Sequence, residues 1–84
     1  MGNLPAVSGK QLIKLLTSDD WVEGRKARHG TALTKKYGDT TRVTVVPNKR
    51  ASLPEGTLRA ILGPKQTQLG SKGLERLIRK HGLK

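Results

Sequence analysis

Three short strand-like segments separated by tight turns fill the middle of the chain and constrain its fold most strongly. The segment from Thr40 to Val46 alternates β-branched and polar side chains, and Pro47, which cannot donate to a sheet ladder, ends it. The Gly38-Asp39 pair before it is typical of a hairpin connection. With the strand-like segments 21–26 and 31–34, the pattern predicts an antiparallel meander.

Helical patterns lie on both sides of this meander. Apolar residues recur with a 3.6-residue period, and capping signals mark the first two helices. Ser8 with Gln11 fits a capping box, and so does Ser52 with Glu55. Gly63-Pro64 is a strong stop signal after the second helix. The predicted helices, in chain order, are 8–19, 54–62 and 71–81.

A three-stranded meander needs a cover for its apolar face, and the first two helices supply it. We therefore expect an α+β two-layer sandwich: a three-stranded antiparallel sheet with helices on one face, in the order α-β-β-β-α, plus a C-terminal helix. The 84 residues make a single domain, in which 63–70 is a connector and 71–82 the additional helix. Leu, Ile and Val must supply most of the core, with Trp21 as an anchor, because the chain has no Phe.

The orientation of the second strand decides what the uncovered face of the sheet presents. In one alternative Ala32 points inward, so that His29 and Leu33 point outward. Arg42 then lies beside them on the open face. In the other alternative Leu33 points inward and His29 tends inward as well. We favour the outward histidine, because a buried imidazole needs a partner and no carboxylate lies near it in sequence.

Positive charge is concentrated in the middle of the chain, which has a net charge of +11. Between residues 25 and 50 eight side chains are positive and only that of Asp39 is negative. Such a concentrated basic field on a small domain indicates a polyanionic partner, most often nucleic acid. The predicted RNA-binding residues are Arg25, Lys26, Arg28, Lys35, Lys36, Arg42, Lys49 and Arg50.

His29 is the candidate catalytic residue, because it lies among Arg25, Lys26 and Arg28. Nearby cations disfavour imidazolium, so the ring stays neutral and able to accept a proton. The same cations can hold a phosphate and stabilise the charge that builds on it. RNA contains its own nucleophile, the 2′-hydroxyl, so one acid–base residue with cationic clamps suffices to cleave it. His81, in a basic last helical turn, is interpreted as structural or exposed.

Other chemistries find little support in the sequence. The six acidic residues are scattered without metal-ligand spacing, so we expect no metal and no cofactor. The chain has no Cys for a disulfide or a thiolate nucleophile. No apolar run approaches the roughly 20 residues of a membrane span, and the amino terminus does not resemble a signal peptide. We expect a cytoplasmic protein without membrane contact, monomeric when free.

Several stretches together resemble the HicA-type, or YcfA-like, mRNA interferase toxins. Residues 8–16 with Trp21-Val22 are similar to the first helix and strand of that family, and residues 42–47 to its third strand. The most specific similarity is Leu53-Pro54-Glu55-Gly56-Thr57-Leu58-Arg59-Ala60-Ile61-Leu62. The resemblance covers most of residues 8–62, whereas the helix at 71–81 departs from the shorter ending usual in the family.

The resemblance implies a fold like the double-stranded-RNA-binding domain, metal-independent cleavage of mRNA, and neutralisation by a HicB-type antitoxin. The motif Gly-Ser-His-His, whose first histidine is catalytic, matches Ala27-Arg28-His29-Gly30, so His29 alone carries over. We therefore expect the toxin of a toxin–antitoxin pair, with His29 as general acid or base. Two alternatives stay open: a non-catalytic RNA-binding module, and a basic adaptor that binds an acidic protein.

Overall fold

The computed structural model describes residues 6–27, 30–64 and 66–82, and it confirms the predicted α+β fold class. The elements, in chain order, are α1 (Gly9–Ser18), β1 (Val22–Ala27), β2 (Gly30–Tyr37), β3 (Thr40–Val46), α2 (Glu55–Leu62) and α3 (Gly70–His81). The described strands form an antiparallel sheet in the order β1-β2-β3, so β2 is central and the other two strands are edges.

The first helix begins as the sequence predicts. The Ser8 hydroxyl accepts a hydrogen bond from the Gln11 N–H at 3.1 Å, and the Gln11 side-chain oxygen accepts one from the Ser8 N–H at 3.0 Å. This reciprocal pair satisfies two amides that a helix start otherwise leaves without partners. The apolar stripe of α1 lies in the core, and Trp21, 2% exposed, packs there as the predicted anchor.

The second helix begins differently from the prediction. Pro54 is its N-cap residue and no side chain caps it, so the predicted capping box of Ser52 is wrong. Ser52 instead forms an isolated antiparallel bridge with Ser8, and the Leu53 N–H donates to the Val7 carbonyl at 2.9 Å. The backbone pairing therefore ties the starts of α1 and α2 together. The helix ends at Leu62, as predicted.

The C-terminal helix is part of the domain core. It contacts both α1 and α2, and its Leu74 and Leu77 are buried in the same apolar cluster as Leu12 and Leu58. Fully burying such side chains stabilises a fold by about 1.5–3 kcal/mol each. In the described part of the chain no helix combines the length and apolar character that crossing a bilayer requires.

The favoured orientation of the second strand is wrong. The buried sheet positions, on the face that the helices cover, are Thr31, Leu33, Thr44 and Val46. Arg42 shares the parity of Thr44 and points to the helix side, whereas Val43 and Val45 are about half exposed on the other face. The two-residue turn at Gly38-Asp39 puts Leu33 and Thr44 on the same face, because it pairs Tyr37 with Thr40, and the burial of Leu33 then takes Thr44 to the helix side.

The first two strands also differ from their predicted bounds. β2 continues to Tyr37 rather than ending at Thr34, because the residues after Thr34 keep pairing with β3. β1 contains an irregularity between Glu23 and Lys26, which pair with Leu33 and Thr31 respectively. Two residues of β1, 24 and 25, therefore oppose Ala32 alone, as in a β-bulge.

Candidate nucleic-acid interface

The connection between β1 and β2 contains the predicted catalytic residue. Arg28 and His29 lie outside the described residues, but Ala27 and Gly30 on either side of them are paired with each other. Gly30 has φ +151°, and a Cβ there would lie 2.4 Å from the Val46 carbonyl oxygen. Because only glycine tolerates both conditions, the sequence fixes this end of β2 tightly against the end of β3.

The start of α1 lies against the loop that follows β3. A Cβ on Gly9 would lie 1.7 Å from the Pro47 carbonyl oxygen, so the two backbones touch at this point. The Lys10 N–H donates to the Lys49 carbonyl at 3.1 Å, and the Lys49 N–H donates to the Pro47 carbonyl at 2.9 Å. These contacts bring the basic loop beside the basic face of α1.

A hollow of about 230 Å³ lies between α1, the β1–β2 hairpin and this loop. Three lysines reach it: Lys10 and Lys14 from successive turns of α1, and Lys26 from β1. Its lining residues are Lys10, Ile13, Lys14, Glu23, Lys26, Thr31 and Asn48. With one carboxylate and three ammonium groups the lining has a net positive charge, which suits a phosphate backbone.

The lysines of the hollow are not neutralised by the residues around them. Across 6–27, 30–64 and 66–82, the ion pairs join Lys35 with Asp19 and Arg59 with Glu55. Glu23 lines the hollow without coming within ion-pair distance of a described lysine. The ammonium groups therefore remain available to an external anion.

Lys35, which is predicted to bind RNA, contacts Asp19 in the structure. Its ammonium group donates to the Asp19 backbone carbonyl at 2.9 Å and lies 3.4 Å from the Asp19 carboxylate. Both contacts lie on the helix side of the sheet, where the amine binds the C-cap residue of α1. A cation at a helix C-terminus also interacts favourably with the helix dipole.

Arg42, also predicted to bind RNA, binds the connector between α2 and α3. Its guanidinium donates to the Pro64 carbonyl at 2.8 Å, the Gln66 carbonyl at 3.2 Å and the Gln68 side-chain oxygen. Lys35, its partner across the strands, lies five residues beyond Gly30, or roughly 17 Å along β2. Arg42 and Lys35 are thus remote from the hairpin end that leads to His29, and the binding of phosphate by Arg42 stays a prediction.

The remaining predicted RNA-binding residues divide between two places. Lys49 and Arg50 are exposed in the loop beside the hollow. Lys36 lies on the open face of the sheet, and the bulge of β1 sets Arg25 there too. Of the predicted set, the structure therefore brings Lys26, Lys49 and Arg50 to one end of the molecule.

Sequence reasoning missed the two lysines of α1. Lys10 and Lys14 lie four residues apart, so one face of the helix presents both of them. That spacing was visible in the sequence, but what lies opposite it depends on the packing of α1 against β1. Asn48 was missed for the same reason.

Metal ligands do not converge in this region or elsewhere in the described ranges, where no three His, Asp or Glu side chains cluster. Comparisons with protein-family models, with curated proteins and with solved structures give no match. The resemblance to HicA-type toxins therefore stays a prediction.

Proposed function

We propose that this protein is an endoribonuclease that cleaves mRNA, acting as the toxin of a toxin–antitoxin pair in the cytoplasm. RNA binds along the hollow between α1 and the β1–β2 hairpin, and His29 moves the protons. The partners in this proposal are mRNA and an acidic, HicB-type antitoxin that covers the same hollow.

The observation that supports the proposal is the position of the hollow next to His29 in the chain. Lys26 and Thr31 both line it, and they lie two residues before Arg28 and two residues after His29. Thr31 follows His29 by two residues, and two residues of chain span at most roughly 7 Å, so the covalent chain itself tethers His29 to a residue that lines the hollow.

The chemistry needs few groups from the protein. His29, as a general base, removes the proton of the 2′-hydroxyl, whose oxygen then attacks the adjacent phosphorus. The bond to the 5′-oxygen breaks, that oxygen takes a proton from the His29 imidazolium or from water, and a 2′,3′-cyclic phosphate remains on the other fragment. Lys26, Lys10 and Arg28 stabilise the added negative charge on the phosphoryl oxygens. A positioned acid–base residue contributes about 10²–10⁴-fold to the rate.

Changing His29 to Ala separates cleavage from binding. We expect the variant to bind a labelled RNA as tightly as the parent and to cleave it at least about 100-fold more slowly. His81→Gln is the matched control, because His81 is the second histidine of the chain and lies on α3; this variant should cleave RNA at the parent rate. Unchanged cleavage by the His29 variant would end the enzymatic proposal and favour a non-catalytic RNA-binding module.

Changing Lys10 and Lys14 together to Ala tests the hollow as the binding surface. If both contact phosphates of a single strand, the slope of log affinity against log salt should decrease by about 1.4. A double change of Lys72 and Lys80 to Ala on α3 removes the same charge elsewhere and should alter the slope much less. Equal effects of the two double changes would mean that RNA does not select the hollow.

A further inference from the structure

The face of the sheet opposite the helices presents aliphatic side chains to solvent. Val22 is 64% exposed, Val43 50% and Val45 44%. They stand on both edge strands of the sheet, and the register puts Thr34 directly between Val22 and Val43. Ala32 lies opposite Val45 in the adjoining row. The valines therefore form one patch, with small side chains between them.

The charged residues that the structure describes on this face are all positive. The bulge puts Arg25 opposite Ala32 near one end of the patch, and Lys36 lies opposite Thr41 near the other end. Among the described acidic residues nearby, Glu23 in β1 pairs with Leu33 and so faces the helix side, and Asp20 and Asp39 lie in turns outside the strands. An aliphatic centre flanked by two cations is complementary to an apolar surface flanked by carboxylates.

The charge of the chain also indicates which class of molecule can bind this face. A second copy of the chain would bring another net charge of +11 against the first, together with the same two cations. A nucleic-acid strand would find phosphate contacts but no ring for its bases to stack on, since Trp21 is buried and Tyr37 has the parity of Leu33 on the helix side. The patch therefore suits a protein of opposite charge.

We propose that the open face of the sheet is a docking surface for an acidic protein, which places aliphatic side chains on Val22, Val43 and Val45 and carboxylates on Arg25 and Lys36. This surface is separate from the hollow that holds RNA in the proposed function, and the inference stands without that proposal. The acidic protein on the open face is therefore a different ligand from the RNA and the antitoxin that occupy the hollow in the proposed function.

A ten-residue peptide that alternates glutamate and valine serves as the probe, with NMR spectra of the isotope-labelled full chain as the readout. We expect the peptide to shift the signals of Val22, Val43 and Val45. Changing Val43 and Val45 together to Thr should weaken binding about tenfold or more, since half-exposed aliphatic area is lost. Threonine suits strands, so the variant keeps its fold, which circular dichroism verifies.

Two matched controls separate the contributions of charge and shape. Lys36→Glu should weaken binding of the peptide, whereas Lys72→Glu, the same change on the exposed face of α3, should not. A second peptide that alternates glutamate and threonine should bind about tenfold more weakly than the first.

Several results would overturn the inference. One is a peptide that fails to shift the three valines at its solubility limit, or that binds the threonine variant as tightly as the parent chain. Another is sedimentation showing that the chain alone dimerises and that the threonine changes abolish the dimer, which would assign the face to a second copy. A loss of RNA affinity in the same variant would assign it to nucleic acid.

Discussion

Replacing Arg42 with Ala tests whether this residue holds the fold together or binds RNA, the role that the sequence predicts. Its guanidinium donates to Pro64, Gln66 and Gln68, which lie 22 to 26 residues away in the chain. In the structure these bonds fasten the connector between α2 and α3 to the sheet. The change should therefore lower stability and have little effect on the binding of RNA at the hollow.

The magnitude follows from the three bonds. A net contribution of about 0.5–1.5 kcal/mol is typical of one hydrogen bond. Pro64 is exposed and Gln66 only half-buried, so water can reach their carbonyls after the change and no full desolvation penalty arises. We expect a loss of about 2 kcal/mol, which lowers the melting temperature of a domain this size by about 10 °C.

Thermal and urea unfolding of three variants, with RNA affinity measured on each, separates charge from geometry. Arg42→Lys keeps the charge but cannot make the forked contacts, so it should lose most of the stability that the alanine variant loses. Arg25→Ala removes an exposed arginine of the same predicted set and should change stability by less than about 0.5 kcal/mol. If Arg42→Ala unfolds like the parent but loses as much RNA affinity as the Lys10 and Lys14 double variant, the structural role assigned to Arg42 is wrong.

Two further predictions concern packing. Gly9→Ala should destabilise the fold by about 2 kcal/mol or more, because its Cβ would lie 1.7 Å from the Pro47 carbonyl oxygen. Gly56→Ala in α2 meets nothing within 4 Å and should stabilise the fold by about 0.5–1 kcal/mol. Urea unfolding measures both changes in stability, and changes of the same sign would contradict the close approach at Gly9. Leu74→Ala should cost about 2–5 kcal/mol, because Leu74 is fully buried. A loss below about 1 kcal/mol in the same assay would mean that α3 is an appendage.

The fold class could be predicted because local patterns agree with it along most of the chain. The Ser8 capping box, the end of α2 at Gly63-Pro64 and the strand at Thr40–Val46 all appear as predicted. Each of these signals depends on neighbours within a few residues, which the sequence displays directly. Trp21 behaves in the same way, since a large apolar residue after an apolar helix is usually buried.

The face of the sheet that the helices cover is opposite to the one that the alternation of β3 predicts, although the sequence contains the turn that sets the register. Alternation alone favours burying Val43 and Val45 of β3. A two-residue turn at Gly38-Asp39, however, puts Leu33 opposite Thr44, so that burying the leucine also buries the threonine. The connector then satisfies the polar group, because the Thr44 hydroxyl donates to the Gln66 side chain. The register counted from the Gly38-Asp39 turn therefore predicts the buried face of β3 better than the side chains of β3 alone do.

The contacts that Lys35 and Arg42 make within the protein could not be predicted from the sequence. Their acceptors lie at Asp19 and in the connector at Pro64, Gln66 and Gln68, between 16 and 26 residues away. No periodic pattern reports which loop passes over which end of a sheet. A strand cation looks the same in sequence whether it binds a phosphate or a backbone carbonyl, so net charge alone does not separate cations that contact the protein from those that are free to bind RNA.

The bulge in β1 determines which cations belong to which surface. In a regular strand side chains alternate with a period of two, so a residue facing the same side as Glu23 would be Arg25. Because two residues of β1 oppose Ala32, the position facing the helix side moves on to Lys26, which lines the hollow, and Arg25 joins the open face. One inserted residue thus divides adjacent positive charges between the proposed RNA surface and the proposed protein surface. Since β1 contributes to both, a partner seated on the open face would contact the strand that leads directly to His29.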